Sequence, residues 1–187
     1  KNCLRMPYQY STVWKEYDLI VFEKLRYKNF LSSGNTFTEY DLNSNKNTLI
    51  IGKNGSGKST LLDALTFSLF GKAYRNINKP SLVNSINQKD CVVELEFIIG
   101  KKPYTIRRGL KPNVFDVVVD GDELDKTASV IDFQNNLENN ILKMNYKSFC
   151  SVGILGARYE SFMNMMPSGR RKVVEDVLDI EICSDMN

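Results

Sequence analysis

The chain has no histidine, one tryptophan and four cysteines in 187 residues. The missing histidine excludes Ser-His-Asp triads, Cys-His nucleophile pairs and zinc sites of the Cys/His kind. The cysteines, Cys3, Cys91, Cys150 and Cys183, are widely spread and no two have C-x-x-C spacing. Their simplest reading is small core residues in a reducing compartment, and Cys91, which opens an apolar run, fits it best. No apolar run approaches the roughly 18 residues of a membrane span, and no secretion-signal pattern opens the chain. It begins at Lys1, not Met, so the true start is expected upstream. Net charge is +3, too small to argue for nucleic acid by itself. The apolar share of 42% and charged share of 25% are ordinary, and the length suits about one domain.

What the chain does have is Gly52-Lys53-Asn54-Gly55-Ser56-Gly57-Lys58-Ser59, which fits G-x-x-x-x-G-K-[ST], the phosphate-binding P-loop. Thr48-Leu49-Ile50-Ile51 before it reads as a short buried strand, and residues 60–70 after it read as a helix. Three glycines let successive N–H groups converge on phosphate oxygens, and the helix N-terminus adds its partial positive charge. Lys58 is expected on the β- and γ-phosphates, and the Ser59 hydroxyl on a Mg²⁺ otherwise held by phosphate oxygens and water. The expected ligands are therefore ATP and Mg²⁺.

Around this motif the pattern is α/β. Residues 19–31 read as a strand, near-alternating through Ile20, Phe22, Leu25, Tyr27 and Phe30 with one slip. A turn cluster at 43–47 follows. The helix at 60–70 is apolar on almost every side, which places it in the domain centre, and Gly71 is its stop. Residues 92–99, 104–108 and 114–119 read as strands with short links, so antiparallel pairing is expected. Val117-Val118-Val119-Asp120 has the outline of a Mg²⁺-binding carboxylate strand, but the following Gly121 makes Asp120-Gly121 a hairpin turn. Residues 128–142 are helical in pattern, with Ile131, Leu137, Ile141 and Leu142 as the apolar set, and 152–155 read as a strand. A last helix starts at Pro167 with Ser168 as N-cap, and Val173, Val174, Val177 and Leu178 form its face.

Two basic clusters stand out. Lys101, Lys102, Arg107, Arg108 and Lys111 fall within eleven residues that contain no acid, as a solvated strand edge or as a phosphate-contacting surface. Arg170, Arg171 and Lys172 crowd the first turn of the last helix, where cations oppose the dipole. A phosphate or carboxylate partner explains them, or they form a solvated basic turn. Arg107, Arg108, Lys111, Arg170 and Arg171 are the candidate DNA contacts, with binding that falls steeply as salt rises.

A hydrolytic P-loop site also needs a carboxylate on a strand end, and none is evident. Either the chain binds without hydrolysing, or it is part of something longer. Leu25-Arg26-Tyr27-Lys28-Asn29-Phe30, the P-loop with Thr60-Leu61-Leu62-Asp63-Ala64, and Pro167-Ser168-Gly169-Arg170-Arg171-Lys172-Val173-Val174-Glu175-Asp176 resemble the N-terminal half of SbcC-type, SMC-like ABC ATPases of DNA double-strand-break repair. Leu69-Phe70-Gly71-Lys72 and Arg107-Arg108-Gly109-Leu110-Lys111-Pro112-Asn113-Val114-Phe115 are closest to the phage recombination-endonuclease branch. The resemblance implies an ABC-type P-loop ATPase head, its N-terminal lobe at 19–166 and the root of a coiled-coil helix at 167–187, with 1–18 an arm or leader without counterpart in the family. It implies a C-terminal lobe carrying the signature, the Mg²⁺ carboxylate and the general base. It further implies two heads closing on two ATP molecules, an SbcD-type nuclease partner, double-stranded DNA ends as substrate and a host-cell cytoplasmic setting. Asn54, Gly55, Ser56, Gly57, Lys58, Ser59 and Thr60, with Lys28 and Asn29, are carried over as nucleotide contacts, and Ser59 as the metal ligand. The family's Q-loop glutamine is missing here. Gln134 lies too early, on a helical stretch, and Ser151 stands in its place. The rival reading is an SMC- or RecF-like nucleotide-gated DNA-binding module without a nuclease. A small P-loop kinase would need an acceptor site and lid arginines that the β-rich middle does not supply.

Overall fold

A computed structural model describes residues 19–124, 129–154 and 162–178. The expectations at Cys3, Cys183, residues 1–18, Leu155 and the helix beyond 178 lie outside these residues, as do the side chains of Val177 and Leu178.

Six antiparallel strands form one sheet in the order β2-β1-β3-β4-β5-β6. They are β1 (Ile20–Lys28), β2 (Thr38–Asp41), β3 (Cys91–Ile99), β4 (Lys102–Leu110), β5 (Val114–Val119) and β6 (Asp122–Glu123). The slip in the β1 pattern is a β-bulge between Phe22 and Lys24, where β1 changes register against β3. At the β5–β6 link, Asp120 (φ 54°) and Gly121 (φ 93°) both take left-handed backbone, which makes the Asp-Gly pair a hairpin turn and not a metal-binding strand end.

The register sorts the two faces. Leu25, Leu95, Ile106 and Val117 are direct cross-strand neighbours and all are essentially fully buried. This row is the floor on which helix α1 (Lys58–Phe70) lies, with Ala64 and Phe67 in the same core. Helical turns from the C-terminal part cover α1 from the other side: Phe149 meets Phe70 at 5.3 Å and Tyr146 meets it edge-on at 5.7 Å. A helix between two layers is buried all round, which is why its sequence shows no polar face. Gly71 ends it in left-handed conformation (φ 66°), donating its N–H to the Phe67 carbonyl.

On the opposite face, Glu39, Arg26, Glu94, Arg107 and Asp116 form one row across five strands, alternating in sign. Glu94 receives Arg26 from one side and Arg107, at 3.2 Å, from the other. Such neighbours neutralise one another and fix strand register.

Several expected elements differ. Residues 48–51 form no strand: Leu49 and Ile51 are more than four-fifths exposed and no described strand pairs with them. A strand exists only where a neighbour takes its N–H and C=O groups. The 128–142 helix is α2 (Val130–Asn136), widening into a π-helical turn at Leu137–Leu142. Within α2 itself Ile131 faces outward and Phe133 lies in the core, 4.9 Å from the Phe115 ring. Residues 152–154 continue from α3 (Tyr146–Ser148) through a helical turn at Phe149–Gly153, not a strand. Helix α4 (Pro167–Leu178) begins at Pro167 itself, so Ser168 is inside its first turn and not its cap. Val173 is buried on α4 while Val174 is partly exposed.

Cys91 and Cys150 are fully buried thiols, as expected for core residues. Burial pushes the Cys91 thiol up to about 12. A raised folded-state value favours folding at neutral pH, and that contribution fades as pH climbs from the ordinary thiol value of 9.0 toward 12. The native protein is therefore expected to leave Cys91 unmodified by iodoacetamide at pH 8, and to expose it only on denaturation, as peptide mass mapping would show. Rapid native labelling of Cys91 would contradict the packing.

Candidate functional site

The α1 N-terminus opens into a cleft of about 570 Å³. Gly57 precedes the helix at φ 90°, a conformation that favours glycine. A Cβ at Gly52 would stand 2.5 Å from the Ser56 hydroxyl oxygen, so a side chain there would force Ser56 to turn away. No side chain caps α1 and no acid lies in its first turn. The N–H groups that a helix leaves without internal partners are thus not claimed by a capping side chain. Lys58 curls back over the loop, its ammonium donating to the Gly52 carbonyl at 2.6 Å and the Lys53 carbonyl at 2.7 Å. A cation held on the rim of a helix N-terminus is an arrangement for a multiply charged anion.

Asn54, Gly55, Gly57, Lys58, Ser59 and Thr60 all line the cleft. Ser56 does not; it packs on Gly52 and closes the loop through its N–H to the Lys53 carbonyl. Among the described residues no three His, Cys, Asp or Glu side chains gather as a metal site.

Lys28 and Asn29 are not in the cleft. Lys28 sits 5.2 Å from the centre of the Phe37 ring. Asn29 is fully buried, and its amide is occupied by Asn35, Asn87 and the Asp90 carbonyl. Ser151 is buried with its hydroxyl donated to the Lys147 carbonyl, away from the cleft. Gln134 lies on α2, bonded to Arg108, Glu138 and the Leu69 carbonyl.

Arg108 turns inward from β4, against the expectation of a surface contact. Its guanidinium donates to the Ser68 carbonyl at 3.1 Å and to Gln134 at 2.7 Å, and lies 3.7 Å from the centre of the Phe115 ring. It brings to the C-terminal end of α1 the cation that the helix itself lacks. Burial pulls its pKa down to about 9, opposed by Glu138, and the group remains charged at neutral pH. Arg107 is paired with Glu94 on the charged face, and Arg171 with Glu175 one turn along α4 at 2.7 Å. A carboxylate on its own helix thus partners one of the first-turn cations. Lys111 is exposed and Arg170 partly so.

The rest of the cleft was not foreseen from the sequence. Leu31 and Ser32 come from the β1–β2 loop, and Arg75, Ile77, Ser81, Val83 and Ser85 from the α1–β3 connection. Asp63, fully buried on α1, accepts from the Arg75 backbone N–H at 2.9 Å and from its Nε at 2.6 Å. The readable signal was Asp63 itself, a carboxylate in an otherwise apolar helix, which requires a cation nearby.

The family model described as AAA domain (AAA_23) matches residues 24–178. The chain belongs to this AAA-domain family. This AAA domain is 44% identical over 165 residues to exonuclease subunit 2 of Escherichia phage RB69, across 88% of this chain and 29% of that protein. It is 30% identical over 170 residues to the DNA double-strand break repair Rad50 ATPase of Thermoplasma acidophilum, across 87% of this chain and 18% of that one. The chain thus spans less than a third of the length of these relatives. Its fold matches that of an SMC ATPase solved in work on ATP-driven dimerization and DNA stimulated activation of SMC ATPases. There the TM-score is 0.57 at 21% identity, over 84% of this chain and 99% of that one. It also matches the Smc head domain of Pyrococcus furiosus, with a TM-score of 0.56 at 21% identity, over 85% of this chain and 42% of that one. These likenesses establish the α/β P-loop ATPase head fold that the motif order implied.

Proposed function

We propose that the chain is the ATP-binding N-terminal half of an ATPase head in a DNA repair or recombination nuclease complex. The observation that carries this reading is a phosphate cradle without its hydrolytic complement. Lys58, Ser59 and an uncapped helix N-terminus line the cleft, and none of its lining residues is a carboxylate. Beside the cradle, Leu49 and Ile51 present aliphatic surface with no described strand to pair with. A second lobe supplying both a neighbouring strand and the Mg²⁺ carboxylate answers both needs.

In this reading Mg·ATP binds the P-loop, a second head completes the site, and closure of the two heads controls access of an SbcD-type nuclease to double-stranded DNA ends. The named activities of the relatives support the setting: an exonuclease subunit and a double-strand-break repair ATPase. The setting in this proposal is the host-cell cytoplasm. Among the described residues no helix is long and apolar enough to cross a membrane. For DNA, Lys111 and Arg170 are the sequence candidates without a described ion pair, so any contact surface centres on them rather than on Arg107, Arg108 or Arg171.

The purified chain is expected to bind Mg·ATP yet show no sustained phosphate release above background in a turnover assay. The full-length protein with its nuclease subunit is expected to hydrolyse it. Sustained turnover by the chain alone would overturn the split-site reading. A full-length protein that hydrolyses ATP but retains no nuclease would favour a scaffolding module instead.

A further inference from the structure

The cleft has two walls. One is the P-loop, which meets phosphate. The other is made by the β1–β2 loop and the α1–β3 connection, which bring the aliphatic side chains of Leu31, Ile77 and Val83 opposite it. These two segments are far apart in sequence, yet they are bound side by side. Phe30 and Val83 form an isolated antiparallel bridge, with the Leu31 N–H on the Leu82 carbonyl at 2.7 Å and the Asn84 N–H on the Asn29 carbonyl at 2.8 Å.

Four asparagines, Asn84, Asn87, Asn29 and Asn35, complete the junction. The Asn84 amide nitrogen donates to the Leu31 carbonyl at 3.0 Å and the Ser33 carbonyl at 2.9 Å. Its oxygen accepts from the Ile86 and Asn87 N–H groups. Asn87 donates to the Asn29 oxygen at 2.7 Å, and Asn29 donates onward to Asn35. Asn29 and Asn84 are buried, so each of these bonds replaces water that cannot enter.

The joined segments are also strained. Asn29, Leu31, Gln88 and Asp90 all have φ between 50° and 52°. Left-handed backbone is tolerable for asparagine but unfavourable for leucine, on the order of 1–2 kcal/mol. Leu31 keeps that conformation because Asn84 holds its carbonyl and Leu82 holds its N–H. Released, it would relax to an ordinary φ and carry its side chain away from the cleft.

We infer that Asn84, with Asn87 and Asn29, forms a latch of positioning residues that holds the wall of the cleft against which the nucleoside half of the ligand rests. The phosphates are gripped by the P-loop without its help. The inference rests on the nucleotide reading above and separates two halves of the ligand that a simple loss of folding would not separate.

The test uses full-length protein and two Mg²⁺-bound ligands, ATP and inorganic tripolyphosphate, compared by calorimetry. Asn84→Asp removes both donors to the β1–β2 loop and keeps the acceptor for Ile86 and Asn87. It is expected to weaken ATP about tenfold, the scale of one or two lost buried bonds, while tripolyphosphate stays within about twofold. Asn87→Ala removes a single donor and is the second variant should the first fail to fold; a smaller loss with the same selectivity is expected. Unchanged ATP affinity in a folded variant would overturn the latch, as would a parallel loss for both ligands, which would make the asparagines merely structural. If the unmodified protein binds neither ligand, the nucleotide reading itself falls and the latch with it.

Discussion

A Lys58→Ala protein is expected to lose Mg·ATP affinity by at least about 100-fold, the scale of two charge-assisted hydrogen bonds to phosphate. The side chain reaches the loop rim, with the ammonium 2.6 Å from the Gly52 carbonyl and 2.7 Å from that of Lys53. Those carbonyls need not stay buried when the ammonium leaves, since Gly52 and Lys53 are exposed. Truncation therefore removes charge from the cradle without opening the core: the helix behind it is anchored by Leu61, Ala64, Phe67 and Phe70, none of which touches solvent appreciably. Calorimetric titration gives the affinity, and a thermal melt checks that the fold is kept. Undiminished binding in a folded variant would refute the phosphate site, and a coincident collapse of the melting temperature would refute the claim that Lys58 serves the ligand rather than the fold.

An Arg108→Met protein is expected to lose about 3 kcal/mol of stability, because two interior acceptors would lose the donor described for them and a third would lose one of two. For a domain of this size that lowers the melting temperature by about 6–12 °C. The first two are the Ser68 carbonyl and the oxygen of Gln134, and the third is the Leu69 carbonyl, to which the Gln134 amide nitrogen also donates. Methionine replaces volume but not N–H groups. Lysine would not rescue it fully, since one ammonium cannot reproduce a planar fork that spans α1 and α2 while lying on the Phe115 ring. Arg107→Met is the control: that side chain is half exposed, and the screened pair with Glu94 limits the expected loss to less than about 1 kcal/mol. Because the folded-state pKa of Arg108 is lowered only to about 9, it keeps its charge below that pH. The penalty for Arg108→Met should thus be flat between about pH 5 and 8, a window below both its folded and unfolded values. A melting temperature within a degree of the unmodified protein would show that Arg108 is not the staple described.

Neighbouring residues 107 and 108 illustrate where sequence reading stops. Both are arginines in one basic run, and strand alternation says only that they face opposite ways. Which faces the core depends on β4 lying between β3 and β5, so that Ile106 joins the Leu25–Leu95–Val117 row and Arg108 follows it inward. The same holds for Asn29. Its place beside the P-loop motif in a family pattern suggested a ligand contact, but the segment at 84–90 arrives from far along the chain and takes its amide first. Residues 48–51 failed for another reason: an apolar β-branched run has strand propensity, but a strand is made by its neighbour, and no described strand stands there.

Spacing over a few residues is enough to write the P-loop motif, the all-round burial of α1, the antiparallel run of β3, β4 and β5, and the slip in the β1 alternation. The tertiary structure alone decided which cations are available and what forms the second wall of the cleft. Arg75 is fixed by Asp63, and Leu31 by Asn84. Those bonds join residues 12 and 53 positions apart, and pairing over such distances is set by how the sheet and helix pack rather than by local pattern.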